Sequence, residues 1–236
     1  GTKAVNVTQK QQMFVIMSGM FITFFLILYY LPNDMTFTSA MHIAGANDKM
    51  NIVDFSFDPQ EKYTFWSGIT GGFFLALAYF GTDQSQVGRY LSGKSVKESQ
   101  MGLIMNGLLK VPMQFLILLT GVMVFVFFQF NPVPLNFNPN NKIIIEKSQY
   151  KEEYHTLEKK LEALSEDKKV INLLYIDQLN QDYDNPILRK ELVALSSKEK
   201  DLRDHAKELI QKADDRSETN DKDYVFFHFI LHYLPK

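Results

Sequence analysis

The residues best suited to chemistry follow an apolar run in the first half of the chain. Residues 71–81 carry no charge, and directly after them come the polar side chains of Thr82, Asp83, Gln84 and Ser85. A carboxylate such as Asp83 costs roughly 2.5–3.5 kcal/mol inside a bilayer on insertion scales, and intramembrane charges usually mark a pathway for substrate or ions. If the apolar run crosses a membrane, these four residues are predicted to line such a pathway.

Lys110 is the predicted partner of Asp83. Asp83 and Arg89 are six residues apart, so they point about 120° apart on a regular helix and cannot form the usual i, i+4 pair. Arg89 is therefore assigned as a charge at the inner end of its span. Asp83 and Lys110 each lie about 12 Å inside neighbouring spans, which predicts that both face one polar cavity. The alternative is that Lys110 snorkels to the headgroups and Asp83 only caps a helix end.

Two residues predict interruptions of the helices that carry these groups. Gly81 has no side chain, so it lets a membrane helix unwind beside the polar run. Pro112 lacks an amide donor and frees the carbonyl of Leu108 close to Lys110, which predicts a second break. Broken helices near mid-membrane are typical of the binding sites of secondary transporters.

The overall composition averages two unlike regions. The net charge of −2 and the mean hydropathy of −0.14 would by themselves suggest a soluble domain. However, residues 1–135 hold most of the Phe, Met and Gly, whereas residues 146–223 are dominated by charged side chains with regularly spaced leucines. The chain is therefore predicted to join a membrane segment to a polar one.

Several function classes are disfavoured by missing motifs. The chain has no cysteine, P-loop, dinucleotide-binding glycine pattern or Gly-x-Ser-x-Gly elbow, and it has no basic patch wide enough for nucleic acid. His228 and His232 are four residues apart but have no third ligand nearby, so no metal site is predicted. We expect neither enzymatic activity, nor a resident cofactor, nor a nucleic-acid partner.

Three apolar stretches, about 13–31, 63–91 and 102–130, are long enough to cross a membrane. At 1.5 Å per residue, each spans roughly the 30 Å hydrocarbon core as a helix. The sequence therefore predicts an all-α membrane protein, with residues 1–135 as the transmembrane segment and residues 32–62 as a loop between spans. The alternative for the first stretch is a buried helix of a soluble protein.

The distribution of charge predicts the orientation of the spans. Lys and Arg lie before the first span and after the second, whereas the loop 32–62 is acidic. By the positive-inside rule the basic ends are cytoplasmic. Residues 131–223 are then outside, and the protein is placed as a multi-pass protein in a cell membrane, the inner membrane if the source is bacterial.

The segment 136–223 is predicted to hold an antiparallel helical hairpin. After a Pro- and Asn-rich linker, Asn131–Asn141, apolar residues recur at steps of three and four on both sides of Asn185-Pro186. The hairpin is either an arm that binds a partner or an insertion that packs on itself. Residues 224–236 are apolar again and are interpreted as a membrane-edge segment that leads into a further helix.

The polar stretch carries a resemblance to a known family. Residues 78–91, AYFGTDQSQVGRYL, followed by SGKS, look like the signature of the solute:sodium symporter family, which includes sodium–glucose, iodide and multivitamin carriers. Residues 1–12, 108–112 and 224–235 resemble flanking segments. The resemblance implies that the three spans correspond to core helices five, six and seven of the inverted-repeat fold shared with LeuT-type transporters.

The resemblance also implies roles for single residues. Tyr79 matches an aromatic residue that gates the substrate from inside, and Lys110 matches a lysine that reaches the sugar in sugar carriers. Ala76 stands where sugar carriers have a polar amide, which disfavours a hexose bound in that manner. Gly88 and Gln9 also depart from the family pattern, which disfavours an accessory cation site. The main sodium site of the family is built from helices one and eight, and is expected outside this chain.

Together these features predict part of a sodium-coupled symporter that imports a small organic solute by alternating access. Its expected partners are the solute, sodium ion, the lipid bilayer and the remainder of the same polypeptide. Two alternatives stay open. One is a sensory input domain of a membrane histidine kinase that uses the same fold, and the other is a structural membrane anchor for the hairpin.

Overall fold

Every regular element in the described part of the chain is helical. The computed structural model describes residues 2–47, 49–50, 55–57, 64–84, 87–88 and 95–234. The elements are α1 (Thr2–Tyr30), α2 (Phe37–Ala46), α3 (Phe65–Leu77), a π-helical segment (Ala78–Thr82), α4 (Val96–Phe127), α5 (Pro139–Glu146), α6 (Lys151–Leu179), α7 (Pro186–Ala213) and α8 (Lys222–Tyr233). The all-α prediction is thus confirmed for these residues.

The chain divides into two compact units. One consists of Gly1–Met50 and Leu119–Lys236, and the other of Asn51–Leu118. The first unit contains α1, α2, the end of α4 and all later helices. The second contains α3, the π-helical segment and most of α4.

Two of the helices, α1 over Val7–Tyr30 and α4 over Val96–Phe127, are long and apolar enough to cross a membrane. Helix α1 begins at Thr2 and ends at Tyr30, just before Pro32, because the residue that precedes a proline disfavours helical backbone. The predicted span 63–91 is described as the 13 residues of α3, the five π-helical residues and a few residues beyond. Both ends of that range lie outside the described residues.

The predicted second break at Pro112 is wrong. Helix α4 runs as one α-helix from Val96 to Phe127 with Pro112 inside it. A proline costs its own hydrogen bond, but an apolar surrounding offers the neighbouring backbone groups no partners other than those of the helix. Helical geometry is therefore kept on both sides of Pro112.

The loop predicted at 32–62 and the linker predicted at 131–141 are both partly helical. In the first, α2 begins after Thr36, whose hydroxyl accepts a hydrogen bond from the Ser39 amide at 3.1 Å. In the second, α5 begins at Pro139, after Asn138 accepts from the Asn140 amide at 3.1 Å. Both starts follow the capping preference of Thr and Asn, but helices of ten and eight residues leave little periodicity to detect.

The predicted hairpin is confirmed as α6 and α7, which we call the hairpin together with the turn between them. Glu153 near the start of α6 pairs with His205 near the end of α7 at 3.2 Å, and Lys168 pairs with Glu199 at 2.9 Å. This order of partners shows that the helices are antiparallel. The buried seam contains the apolar residues of the predicted heptads, among them Tyr154, Leu157, Leu161, Leu192, Ala206 and Leu209.

The first unit has two apolar cores. The junction core gathers the ends of α1 and α4 with α2, α8 and one half of the hairpin, through Ile27, Leu31, Ala40, Ile43, Ala44, Ala46, Met123, Val124, Val126, Phe127, Phe128, Phe130, Tyr175, Ile176, Leu192 and Phe229. The base core joins the other half of the hairpin to α5 and to the segment before α5. It contains Leu135, Ile145, Tyr154, Leu157, Leu161, Ala206, Leu209 and Ile210. The hairpin therefore does not pack only on itself.

Candidate functional site

The helix that precedes the predicted polar site changes its hydrogen bonding at Ala78. The amide of Asp83 donates to the Ala78 carbonyl at 3.0 Å, five residues back, and the hydroxyl of Thr82 donates to the same carbonyl at 2.9 Å. A bond over five residues is the mark of a π-helix, which occurs mostly as a single turn and frequently at functional sites. Thr82 thus stabilises an irregular turn directly before the carboxylate.

The helix is interrupted at Asp83 itself. This residue has extended backbone angles, φ −71° and ψ 101°, although the Val87 amide already donates to the Asp83 carbonyl at 2.9 Å. The helical hydrogen-bond pattern of the backbone therefore ends before Asp83 and begins again directly after it. The sequence predicted unwinding beside Gly81, and the structure shows the interruption two residues later.

The other predicted site residues occupy three kinds of position. Tyr79 lies in the π-helical segment, 37% exposed, with its ring edge-on to that of Phe80 at 5.1 Å. Gln84 is exposed directly after the break, and Asp83 is half-buried. Lys110 is exposed near the middle of α4. Ser85 and Arg89 lie outside the described residues.

The pairing of Asp83 with Lys110 stays a prediction. Among the described residues of this unit, α4 is not packed along α3 or the π-helical segment. A Cβ added at Gly68, Gly71 or Gly72 would meet no atom within 4 Å, so the surface of α3 that carries these three glycines has room for a closely packed helix. A cavity shared by Asp83 and Lys110 would therefore have to be enclosed by additional protein segments.

The apolar side chains around these residues are uncovered. None of the residues of α3 is buried, and Leu75 and Val111 are 70% and 72% exposed. An apolar surface of this extent usually faces lipid or a protein partner. The polar residues of the break therefore sit on a helix that presents hydrocarbon on most of its surface.

Sequence reasoning missed a polar network inside the hairpin. The Glu199 carboxylate accepts from Lys168 at 2.9 Å and from Arg203 at 3.0 Å. Arg203 also donates to the carbonyls of Pro134 and Leu135 at 3.0 and 3.1 Å. The available signal was that Lys168 and Glu199 fall at seam positions of their heptads, where an apolar residue is the rule.

This network is electrostatically satisfied and ties the hairpin to the segment between α4 and α5. Burial by itself would raise the pKa of Glu199, but Lys168 and Arg203 outweigh burial, so the pKa of this carboxyl lies below its usual range. Because Arg203 donates to the carbonyls of Pro134 and Leu135, between α4 and α5, the network fixes the position of the hairpin relative to this segment.

The histidines of α8 form a stacked pair. The rings of His228 and His232 lie 4.1 Å apart, and His232 Nδ1 lies 2.9 Å from the His228 carbonyl oxygen. In the described part of the chain, no group of three or more His, Cys, Asp or Glu side chains is arranged to hold a metal ion. His228 also lies against the aromatic rings of Phe128 and Phe137.

Comparison with known proteins finds sodium-coupled carriers. The chain is 31% identical to the human sodium/iodide cotransporter over 108 residues. The aligned region covers 45% of this chain and 16% of the cotransporter. It is 35% identical over 107 residues to the mouse sodium-coupled monocarboxylate transporter 2, covering 45% and 17%. A putative sodium-dependent multivitamin transporter of Drosophila melanogaster is 36% identical over 61 residues, covering 26% and 10%.

These matches define both the likeness and its extent. The chain spans about a sixth of the length of the first two relatives. No protein-family model matches the chain, and no solved structure matches it. Over slightly less than half of its length, the chain is thus similar to sodium-coupled carriers, which confirms the resemblance to the solute:sodium symporter family predicted from residues 78–91.

Proposed function

We propose that this chain is part of a sodium-coupled symporter that imports a small organic solute by alternating access. The observation that carries the proposal is the helix interruption at Asp83, because it lies in the stretch that resembles the family signature. The relatives support it, since their names describe sodium-coupled transport of iodide, monocarboxylates and vitamins. All three are carriers, so none of them favours the sensory-domain alternative.

The proposed pathway runs along the π-helical segment and the break. Thr82, Asp83, Gln84 and Ser85 would offer hydroxyl, carboxylate and amide groups at a point where helix geometry is already relaxed. Irregular backbone inside a membrane is tolerated only where it faces protein or a water-filled cavity. Tyr79, one turn earlier and farther from the cytoplasmic end of the span, would act as an aromatic gate that closes the solute off from the inner side.

Lys110 would supply the positive charge of the pathway. Iodide and monocarboxylates are anions, and a lysine in the middle of α4 fits an anionic solute. Asp83 would then balance Lys110 when the solute is absent. The polar amide of sugar carriers is replaced by Ala76, so a hexose is not the proposed solute.

Sodium is proposed as the coupling ion. No residue of this chain is assigned as a principal sodium ligand, because that site is expected in helices supplied by the rest of the polypeptide. We further propose that the hairpin lies on the outer face of a cell membrane, the inner membrane in a bacterium. The basic segments at residues 3–10 and 89–97 support this orientation.

The test of the pathway is uptake by the full-length protein in proteoliposomes, with and without an inward sodium gradient. The solutes are labelled iodide, a short monocarboxylate and a neutral sugar. We expect sodium-driven uptake of the monocarboxylate, which is the organic anion among the three solutes. Asp83→Asn and Lys110→Ala should each lower it about 10–100-fold, since each removes a charge-assisted contact of about 1.5–3 kcal/mol.

Matched controls are Asp177→Asn and Lys160→Ala, which change exposed residues of the hairpin and should leave uptake unchanged. Full uptake by the double variant Asp83→Asn/Lys110→Ala would contradict the assigned pathway while leaving the family likeness intact. An uptake rate that is the same with and without the sodium gradient would contradict sodium coupling.

The orientation is tested by labelling one cysteine from outside. The chain itself contains no cysteine, so Lys160→Cys, in a full-length protein without other cysteines, gives a single site on the hairpin. We expect a membrane-impermeant maleimide to label it in intact cells. Labelling only after the cells are broken would contradict an outer hairpin.

A further inference from the structure

Large exposed apolar side chains are confined to one half of the hairpin. All those that are large lie between residues 170 and 193, which we call the tip half: Val170, Leu173, Leu174, Tyr183, Ile187 and Val193, with Ile187 the most exposed at 72%. Residues 151–169 and 194–213, all described, expose no large apolar side chain. If the whole hairpin faced water, large exposed apolar side chains would have no reason to be concentrated in one half of it.

The tip half is the part of the hairpin that is tied to the membrane-capable helices. Tyr175, Ile176 and Leu192 belong to the junction core together with Ile27 of α1 and Phe127 of α4. Ile27 is one turn before the end of α1, so this half of the hairpin packs at the level where α1 ends.

Direct hydrogen bonds fix the turn of the hairpin at the same level. The side chain of Asn180 donates to the carbonyl of Asp34 at 3.0 Å, and Ser39 Oγ donates to Asn180 Oδ1 at 3.5 Å. Asp34 follows the last residue of α1 by only four positions. The turn is therefore held within a short distance of the point where α1 leaves the predicted membrane.

The turn is built so that its apolar residues stand outside. Asp182 adopts φ 58°, and the Tyr183 amide donates to the Gln178 carbonyl at 3.0 Å, which is a Schellman-type ending of α6. Asn185 then caps α7 through the amide of Ile187 at 2.8 Å. Both Tyr183 and Ile187 thus occupy defined backbone positions while more than half of each is exposed.

Charge does not explain what covers this surface. Between residues 170 and 193 there are two basic residues, Arg189 and Lys190, against four acidic ones, Asp177, Asp182, Asp184 and Glu191, a net charge of −2. Attraction to anionic headgroups is therefore unfavourable. Aromatic and aliphatic side chains beside the end of a span are suited to the interfacial layer of a bilayer.

We propose that the tip half of the hairpin docks on the bilayer surface around the end of α1, with Tyr183 and Ile187 in the interfacial layer. The contact is made with the glycerol and upper acyl region of zwitterionic lipid, and it does not depend on anionic lipid. This inference rests on the proposed membrane position of α1 and α4, but not on the assigned transport pathway.

The test uses single cysteines that carry an environment-sensitive fluorophore, in the full-length protein in phosphatidylcholine nanodiscs. Ile187→Cys reports on the tip half. Ala163→Cys and Ser197→Cys are matched controls, because both are exposed positions of the other half of the hairpin and Ala163 lies on the same face of α6 as Val170, seven residues earlier. Quenching is measured with aqueous iodide and with lipids that carry a nitroxide near the headgroup.

We expect the label at residue 187 to emit at shorter wavelength, to be quenched by nitroxide lipid and to resist iodide. Both control labels should show the opposite pattern. Adding phosphatidylglycerol or raising the salt concentration should not increase quenching of the label at residue 187 by nitroxide lipid.

Two results would overturn the inference. A label at residue 187 that iodide quenches as readily as the control labels would show that the tip half faces water. A label shielded from both quenchers would show that protein covers it, either another part of the polypeptide or a second copy.

Labels at Phe14, Val15 and Ile16 separate this inference from the membrane position on which it rests. These neighbouring, exposed positions of α1 sample most of the helix circumference. If nitroxide lipid quenches none of them, the proposed membrane position of α1 fails. If it quenches at least one of them but not the label at residue 187, only the docking of the hairpin fails.

Discussion

The two compact units of the chain bury their apolar side chains very differently. In the unit that holds the hairpin, Phe127, Tyr175 and Phe229 are each no more than 1% exposed. In the unit of residues 51–118, α3 buries none of its residues, and Val111 of α4 remains 72% exposed. The first unit completes cores of its own, although Phe14 and Phe25 of α1 remain 73% and 63% exposed, whereas the second mainly presents side chains that lipid or protein must cover.

The difference separates the residues that are expected to determine stability from those assigned to the proposed transport pathway. The residues assigned to the pathway lie in the unit whose described residues form no apolar core, and the residues that are expected to determine stability lie in the other. Substitutions in one unit are therefore expected to leave the property of the other unchanged.

The largest expected effect tests the junction core. Phe127→Ala removes a ring that lies 5.0 Å from Phe229 and 4.8 Å from Tyr233, and such a truncation should lower the free energy of unfolding of this unit by about 3–5 kcal/mol. Phe73→Ala, which truncates a ring that is 60% exposed, is the control. Amide hydrogen exchange of α6 and α7 in nanodiscs measures both. Equal loss of protection in the two variants would break the comparison.

The next effect concerns the buried network of the hairpin. Glu199→Ala leaves Lys168 buried without its carboxylate, and breaking a fully buried pair costs about 3–5 kcal/mol. Since the side chain of Glu199 keeps 22% of its exposure, we expect about 2–3 kcal/mol. Glu166→Ala, which removes an exposed partner of Lys169 at 3.9 Å, should change the unfolding free energy by less than about 0.5 kcal/mol.

The same carboxyl makes the stability of the hairpin depend on pH. The folded pKa of Glu199 lies below its usual value, so the unfolded state binds the proton more readily. Its contribution is complete above the unfolded pKa and is lost as the pH falls through the folded pKa. Thermal unfolding between pH 7 and pH 3 should show a smaller acid loss in Glu199→Gln than in the unchanged protein. An identical pH profile in the two proteins would contradict this assignment.

The smallest effect sharpens the description of the turn. Asp182 has φ 58°, a region that glycine enters without steric cost and alanine does not. Asp182→Gly should raise the unfolding free energy by up to about 1 kcal/mol, and Asp182→Ala should lower it by a similar amount. Chemical unfolding of the two variants measures the contrast. The same sign in both would mean that the backbone angle of Asp182 is not what limits the turn.

The hairpin could be predicted from the sequence because its signal is long and regular. Tyr154, Leu157 and Leu161 repeat at heptad spacing, and Asn185-Pro186 marks the start of the second helix. The pairing of Lys168 with Glu199 could not be predicted, since it depends on the register of two helices that one sequence pattern leaves open. The ten residues of α2 were missed because their burial comes from contact with the distant hairpin.

The candidate site could be predicted only in part. The change from apolar to polar residues at Thr82 indicated where the helix would be interrupted, and the structure shows the interruption at Asp83. The expected break at Pro112 failed, because a proline inside an apolar helix loses a single hydrogen bond while its neighbours keep theirs. Whether Lys110 faces Asp83 depends on packing that the described residues of this unit do not supply.

The attachment of α2 to the hairpin also sets an order of folding. Asn180 bonds to Asp34 and Ser196 to Asn47 across 146 and 149 residues of sequence. At roughly 5–20 residues per second of synthesis, the partners of α2 appear about 7–30 s after it does. During that interval Ile43 and its neighbours are without the surface that later buries them. We therefore expect α2 to remain exposed, and open to chaperones and proteases, until the hairpin has been made.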